Sequence, residues 1–334
     1  MAYDNLQLDK GLYTAQGGFT QALERVDPSA NYRGTPLEGL DAYERQLKRF
    51  GIRPGGASSD RVEKFFQNSS TAALFPEYVT RAIRQGLERS QALSGVAATT
   101  TVIDGTDYRS LLCSPDVGEF AGAAATPEAQ ALPVRTIRTK EQLVNMKKFG
   151  TQLNISYEAV RFHRLDLFTV LLRNMGTELA QLLLGEAVEV LLNGDGNPGT
   201  EAVSVAASGG ALSYSDLLAL WNRFDPFTMT TLFAGSAMAQ QVMNLPEMRD
   251  AYAGLDFHGT GKLITPLGAE LVKTSAMPGG KLLAFDKNAA LELVKAGDIV
   301  TDFSKLIDCQ LESAAVSVTA GFAKLAHGAA VVLE

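Results

Sequence analysis

A chain of 334 residues that is 46% hydrophobic and 20% charged is long enough for about two domains and apolar enough to build cores, which excludes a wholly disordered protein. Its net charge of -7 argues against a general nucleic-acid binder, because phosphate affinity comes mainly from lysines and arginines that release condensed counterions. The start, MAYDNLQLDKGLYTAQGG, has no basic stretch followed by an apolar run, and no later segment approaches ~18 uninterrupted apolar residues, so neither secretion nor membrane spanning is expected.

Residues 1–70 read as a polar extension with turns at Asp27-Pro28, Arg33-Gly34 and Arg53-Pro54-Gly55-Gly56, and a short helical pattern in LEGLDAYERQLKRF. A second helix is expected over residues 74–93, with Pro76 near its start, and residues 96–112, rich in Thr, Val and Ile, turn strand-like. Next comes CSPDVGEFAGAAATPEAQALP, residues 113–133, mostly Ala, Gly, Pro, Thr and acidic residues. It cannot bury enough apolar area to offset ordering at ~1 to 2 kcal/mol per residue. Flanked by strand-like runs, it reads as the tip of a two-stranded arm supported by a neighbouring subunit; the alternative is a surface loop with no partner role.

Residues 134–156, VRTIRTKEQLVNMKKFGTQLNIS, alternate like a strand and lead into SYEAV. A long helical pattern then runs from Asp166 to Gly196. Asp166 can cap its start, and Leu165, Phe168, Leu172, Met175, Leu179, Leu183, Ala187 and Val190 recur at steps of three or four, with Arg173, Glu178, Gln181 and Glu189 on other faces. Asn193 and Gly194 supply the stop. At ~1.5 Å per residue such a rod is roughly 40 Å long, a framework element.

In the second half, Ser213, Ser215 or Asp216 can begin a helix in YSDLLALWNRF, where Leu217, Leu220, Trp221 and Phe224 share a face and Trp221 is expected in the core. MTTLFAG suits a buried strand and SAMAQQVMNL a small helix ended by Pro246. Strands are expected over 281–285, after the Pro278-Gly279-Gly280 turn, and near 316–318 and 329–333.

Over roughly residues 74–334, this ordered set (loop, long helix, SYSDLLALWNRF, TTLFAGSAMAQQVMNL, KTSAMPGGKLLAFDKNAALELV, VSVTAGFAKLAHGAAVVLE) resembles the tailed-phage major capsid protein of the Hong Kong 97 type. The resemblance implies an α+β fold with an amino-terminal extension and arm over 1–100, an extended loop over 101–150, a peripheral domain with the spine helix over 151–202, an axial domain over 203–319 and return strands over 320–334. It implies a protein that is not an enzyme, a homo-oligomer of pentamers and hexamers tiling an icosahedral virion shell assembled in the host cytoplasm. Portal and scaffolding proteins, and a decoration protein, are the implied partners, with packaged DNA contacted nonspecifically at most and no membrane. An encapsulin-like compartment and a gene-transfer-agent capsid share the fold; a cytoplasmic enzyme is the alternative of a different class.

Chemical motifs point to no catalytic, cofactor-binding or metal site. Gly194-Asp195-Gly196-Asn197-Pro198-Gly199 has the spacing of a dinucleotide-binding turn, but a helix precedes it where a strand must, so a tight turn explains it better. The same stretch lacks the later acidic ligands of a calcium loop. His163, His258 and His327 lie at no metal-ligand spacing, and no nucleophile elbow or phosphate loop is present. Cys113 and Cys309 have no paired spacing and are expected to stay unpaired. Arg45, Lys48, Arg49, Arg53, Arg61, Lys64, Arg81, Arg84 and Arg89 recur in helical-looking segments, either as a solvated face or as an inward arm touching DNA or a scaffold. Some members of the resembled family join subunits through a loop lysine; here residues 101–139 contain none, and Lys140, Lys147 and Lys148 lie towards the base, so noncovalent locking is expected.

Overall fold

The computed structural model describes residues 4, 6–14, 18–90, 93, 95–112, 126–130, 138–209, 211–249 and 263–334. Most of the expected arm tip, with Cys113 and His258, lies outside them. The chain divides into two units, one of residues 1–89, 150–180 and 299–317, the other of residues 90–149, 181–298 and 318–334.

The first unit is mainly helical, with helices Gly18–Val26, Ala42–Arg49 and Phe75–Glu88 and the first half of the long helix Leu165–Asn193. The long helix largely follows its expected stripe: Leu165, Phe168, Leu172, Leu179, Leu183, Ala187 and Val190 are buried and Glu178, Gln181 and Glu189 exposed, whereas Met175 of the stripe and Arg173 of the other faces are both half-buried. Its 29 residues make a rod of about 44 Å. It begins one residue earlier than the expected cap, so Asp166 sits in the first turn, where its carboxylate accepts from the Leu167 N–H at 2.8 Å. It stops at Asn193, and Gly194 follows at φ +82°, a left-handed position that glycine occupies without strain.

Two glycines seat the Phe75–Glu88 helix on this rod. A Cβ on Gly86 would lie 2.1 Å from the Arg173 carbonyl oxygen, and one on Gly176 would lie 2.1 Å from that of Ile83. Backbone therefore meets backbone. Beside the crossing, Phe65, Phe75, Tyr78 and Phe168 form an aromatic cluster with centroid separations of 5.3–6.3 Å. Tyr78 donates to the Leu165 carbonyl at 2.8 Å, its hydroxyl also meeting Thr169 Oγ1 at 2.6 Å.

The amino-terminal extension, read as polar from its sequence, has a core within its own unit. Leu8, Phe19, Leu23, Tyr32, Leu37, Tyr43, Ile52, Val62 and Phe65 are buried. Arg45, read as one member of a basic run, is fully buried. Its Nε donates to Asp27 Oδ2 at 2.9 Å, its other nitrogens reach Ser29 Oγ and the Leu40 and Asp27 carbonyls, and its guanidinium lies 4.4 Å from the Tyr32 ring centroid. Burying one ion pair is costly unless the remaining hydrogen-bonding groups are filled; here they are. Tyr13 donates to the Ala73 carbonyl at 2.8 Å and accepts from the Glu77 N–H at 2.9 Å, tying the start of the chain to the Phe75–Glu88 helix. Strands β4 (Lys147–Ser156) and β10 (Val300–Leu306) both pair with β11 (Leu311–Lys324), β10 antiparallel with its first half from Leu306↔Leu311 to Val300↔Ser317.

In the second unit, β1 (Thr99–Ile103) runs parallel to β9 (Leu291–Ala296), which pairs antiparallel with the last residues of β11. The other sheet has the order β5-β12-β8-β6-β7: Val203–Val205, Ala330–Leu333, Leu282–Phe285, Thr231–Ala234 and Glu270–Lys273. β12, β8 and β6 are buried along their whole length, the continuous apolar run of a sheet covered on both faces. Helices Tyr214–Trp221 and Ser236–Asn244 lie on one face, where Leu217, Leu220, Met238 and Val242 meet Leu232, Ala234, Leu282, Ala284, Val331 and Leu333. The first helix starts with a capping box: Asp216 accepts from the N–H and hydroxyl of both Ser213 and Ser208 at 2.7–2.9 Å. Burial would raise this carboxyl, but those four donors outweigh it and hold its pKa down at about 2. Pro246 ends the second helix as expected, then opens a single turn, Pro246–Arg249.

The turn after the long helix is held by charge. Asp195 accepts from Lys140 Nζ, from the Lys324 N–H at 3.0 Å and from the Asn197 N–H and side-chain amide at 3.2 and 3.1 Å. Burial alone would raise Asp195; the hydrogen bonds from Lys140 and Asn197 and the charge of Lys140 outweigh it and hold the carboxyl low. Two buried lysines thus share one carboxylate. Lys140 takes it, and Lys324, 1% exposed, has the Leu191 carbonyl at 3.4 Å as its amine's acceptor. Burial, opposed by Asp195 and Glu201 and reinforced by Lys140, lowers the Lys324 pKa to about 7.

Two outcomes follow from this packing. Gly176→Ala forces the crossed helices apart and should lower the unfolding free energy by about 1–3 kcal/mol in urea titration. In the same helix Gly185, whose added Cβ would meet nothing within 4 Å, should gain roughly 0.5–1 kcal/mol on substitution by alanine. The second concerns Lys324. Between about pH 7 and 10 the unfolded chain holds a proton on this lysine that the folded chain does not, so stability should rise with pH across that window. Lys324→Met should flatten that rise, read as the thermal midpoint against pH; an unchanged slope would show that Lys324 is not its source.

Candidate assembly surfaces

The base of the expected arm is built on one buried carboxylate. β2 (Leu111–Leu112) and β3 (Arg138–Thr139) pair antiparallel, Leu111↔Thr139 and Leu112↔Arg138, which closes the segment between them at its two ends. Glu292, buried on β9, accepts from Thr101 Oγ1 at 2.5 Å, Tyr108 Oη at 2.8 Å and Ser110 Oγ. Charge-assisted bonds of this kind are the strong ones. They fix the strand that enters the arm, and Lys140, bonded to Asp195, fixes the strand that leaves it.

The first unit carries a cavity of about 540 Å³ lined by Tyr43, Leu47, Pro54, Tyr78, Val170 and Arg173, among others. Its charges are mostly spoken for. Arg81 pairs with Asp41 at 2.7 Å and Glu77 at 2.9 Å and sits 4.4 Å from the Tyr43 ring centroid. Burial would lower its pKa, but the bonds to Glu77 and Asp41 raise it. Asp166, held low chiefly by the Leu167 N–H, pairs with Arg164 at 3.2 Å, and Glu44 closes a capping box onto Asp41. Arg173 donates from Nε and a terminal nitrogen to the neutral Gln85 Oε1 at 3.1 and 2.8 Å. No carboxylate pairs with it among the described residues. Around Val170, one of the lining residues, the long helix exposes Leu167 and Leu171 at half their surface or more, an apolar ridge at helical spacing.

In the second unit Trp221 is 49% exposed, with Leu218 and Met243 also at the surface. It was expected in the core. Leu217, Leu220 and Phe224 fill that stripe and are buried, leaving the indole at its edge in the last residue of the helix. Large apolar side chains at the surface are what association buries, and Trp is enriched at interfaces.

The basic run separates by role. Arg45 is structural, Arg81 is tied to two carboxylates, Arg49 donates to the Leu6 carbonyl at 2.8 Å, and Lys64 pairs with Asp60 at 3.0 Å. Lys48, Arg53, Arg61 and Arg89 remain exposed and Arg84 half-buried. His163 and His327 are exposed, the former joined through its backbone carbonyl to the Val62 N–H at 3.1 Å. Cys309 is an exposed free thiol. Lys147 pairs with Glu186 at 2.7 Å, and Lys148 is exposed. Among the described residues no cluster of three metal-ligating side chains occurs, and no helix is long and apolar enough to cross a membrane.

Two sets of likenesses fit this architecture. A virus-like particle from Pyrococcus furiosus shares it with a TM-score of 0.53 at 14% identity, over 77% of this chain and 98% of that one. The capsid of a native GTA particle matches with a TM-score of 0.52 at 15% identity, over 73% and 90%, and that of an empty GTA particle with 0.53 at 15%, over 72% and 88%. At such identities the likeness establishes the fold, an α+β capsid fold of the Hong Kong 97 type. No curated protein matches the sequence. Residues 138–304, half of the chain, match the family described as phage capsid protein; the chain belongs to that family and is a structural, non-enzymatic protein of a capsid shell.

Proposed function

We propose that the chain is a major capsid protein whose copies associate as pentamers and hexamers into an icosahedral virion shell enclosing phage double-stranded DNA. The family match over half of the chain carries this reading. Each copy would present several surfaces, and rotational contacts that close on themselves give rings, then a closed shell. Permanent interfaces bury ~2,000 to 5,000 Å², a gross gain at ~25 cal/mol per Å² that far exceeds what any single contact must supply once ordering costs are met. Residues 203–319 would form the domain around the symmetry axes, and residues 151–202 with 320–334 the periphery. Assembly would take place in the host cytoplasm, with portal and scaffolding proteins and with packaged DNA contacted nonspecifically at most.

The shell would be locked without covalent bonds. Lys140 is buried and engaged by Asp195, Lys147 is paired with Glu186, and residues 101–139 contain no lysine to act as a loop nucleophile. Arm docking, sheet contacts and a decoration protein would do the locking instead.

Negative-stain microscopy of the purified protein should show uniform closed shells or capsomers; a small compact monomer at every concentration would overturn the reading. Particles boiled in detergent without reductant should run mainly as the 35.7 kDa chain. A dominant ladder of five- and six-chain species would refute noncovalent locking.

A further inference from the structure

Two lysine side chains and one carboxylate are buried together where the long helix ends, at Lys140, Lys324 and Asp195. An ionised carboxylate offers about four lone-pair sites, and those of Asp195 are all in use: Oδ2 accepts from Lys140 Nζ and the Lys324 N–H, Oδ1 from the Asn197 N–H and side-chain amide. Lys140 has a second acceptor in the Lys324 backbone carbonyl. The Lys324 amine is left with the Leu191 carbonyl at 3.4 Å, its one acceptor among the described residues. The groups around it do not compensate an ammonium there. Across the sheet stands the apolar Leu291, the next residue Glu292 is committed to Thr101, Tyr108 and Ser110, and Glu201 on the turn attracts the amine from an exposed position without a hydrogen bond. A buried ammonium without a partner is costly, so this geometry holds the Lys324 amine neutral, in keeping with a pKa lowered to about 7.

The same carboxylate fastens two stretches of chain. Lys140 directly follows β3, and Gln142 donates its N–H to Asn197 Oδ1 at 3.0 Å, so residues 140–142 are tied to the turn after the long helix through Asp195 and Asn197. A proton added to Lys324 creates a second buried ammonium, which competes with Lys140 for a carboxylate that has no site to spare. We propose that Lys324 is a proton-operated latch: neutral, it leaves Asp195 to Lys140 and keeps the segment after β3 fastened to the turn; protonated, it takes Asp195 and sets Lys140 free. The proton comes from water, and no covalent bond between heavy atoms changes. The latch belongs to the fold of one chain and stands whether or not copies associate.

The test is hydrogen exchange of the full chain, followed by mass spectrometry at about pH 6 and about pH 8.5 and expressed as protection factors, so that the pH dependence of intrinsic exchange cancels. Peptides covering residues 140–149 and 191–201 should lose about tenfold or more in protection at the lower pH, while peptides over the strands Thr231–Ala234 and Leu282–Phe285 hold within about twofold. Equal protection at the two pH values, or a loss spread evenly over the second unit, overturns the proposal. Lys324→Met carries no proton, and Lys140→Met leaves Asp195 to a charged Lys324 at both pH values, so each should abolish the difference between them. A difference that persists in either variant also overturns the latch. A variant that does not fold leaves the decision to the other and to the unmodified chain.

Discussion

The constraint on which the rest of the first unit depends is the approach of two helix backbones at Gly86 and Gly176. With no Cβ on either side, the Ile83 and Arg173 carbonyls come within the space a methyl group would fill, and at that distance dispersion contacts along both helices become short and numerous. The aromatic cluster of Phe65, Phe75, Tyr78 and Phe168 closes only because this crossing brings Phe75 and Tyr78 onto Phe168. Residues 1–70 then have a hydrophobic floor on which Phe19, Leu23 and Tyr43 can be buried.

That dependence explains what was legible in the sequence. The long helix, the Phe75–Glu88 helix and the capped Tyr214–Trp221 helix each carry local signals: a regular apolar step, a proline at the first turn, a Ser-x-x-Asp box. Strands β6, β8 and β12 announce themselves as short apolar runs between turn residues. The core of the extension was not legible, because its apolar residues are scattered between turns and meet through tertiary contacts with no local period. Nor were the two nodes. Glu292 draws Thr101, Tyr108 and Ser110 from more than 180 residues away, and Asp195 draws Lys140 and Lys324 from opposite directions along the chain. Composition shows such residues as ordinary surface charge; only the fold shows that they are buried.

The same sorting decides how charge can act here. Read as a run, the basic residues of the first 89 positions suggest a stripe for polyanions. In the fold, Arg45 and Arg81 are held by carboxylates and an aromatic ring, and their charge is spent inside the subunit. The buried Arg45–Asp27 pair contributes less to net stability than to fixing one arrangement, since its desolvation offsets much of the attraction. Arg45 fixes how the segment around Asp27 meets the Ala42–Arg49 helix, and Arg81 fixes how Asp41 meets the Phe75–Glu88 helix.

A capsid chain must fold as a subunit and yet keep surfaces unsatisfied until copies meet. The two requirements are separated in this structure by position along the same elements. One side of the long helix is filled by Leu165, Leu172 and Leu179, while Leu167, Val170 and Leu171 stay at the surface; the inner side of the Tyr214–Trp221 helix is filled by Leu217 and Leu220, while Leu218 and Trp221 stay outside. Rigid helices present these residues in fixed geometry, so the entropy of positioning them is spent in folding and not again at association. In the proposed ring assembly each such patch would supply one contact among several, and a subunit leaving a closed ring would have to break all of them together.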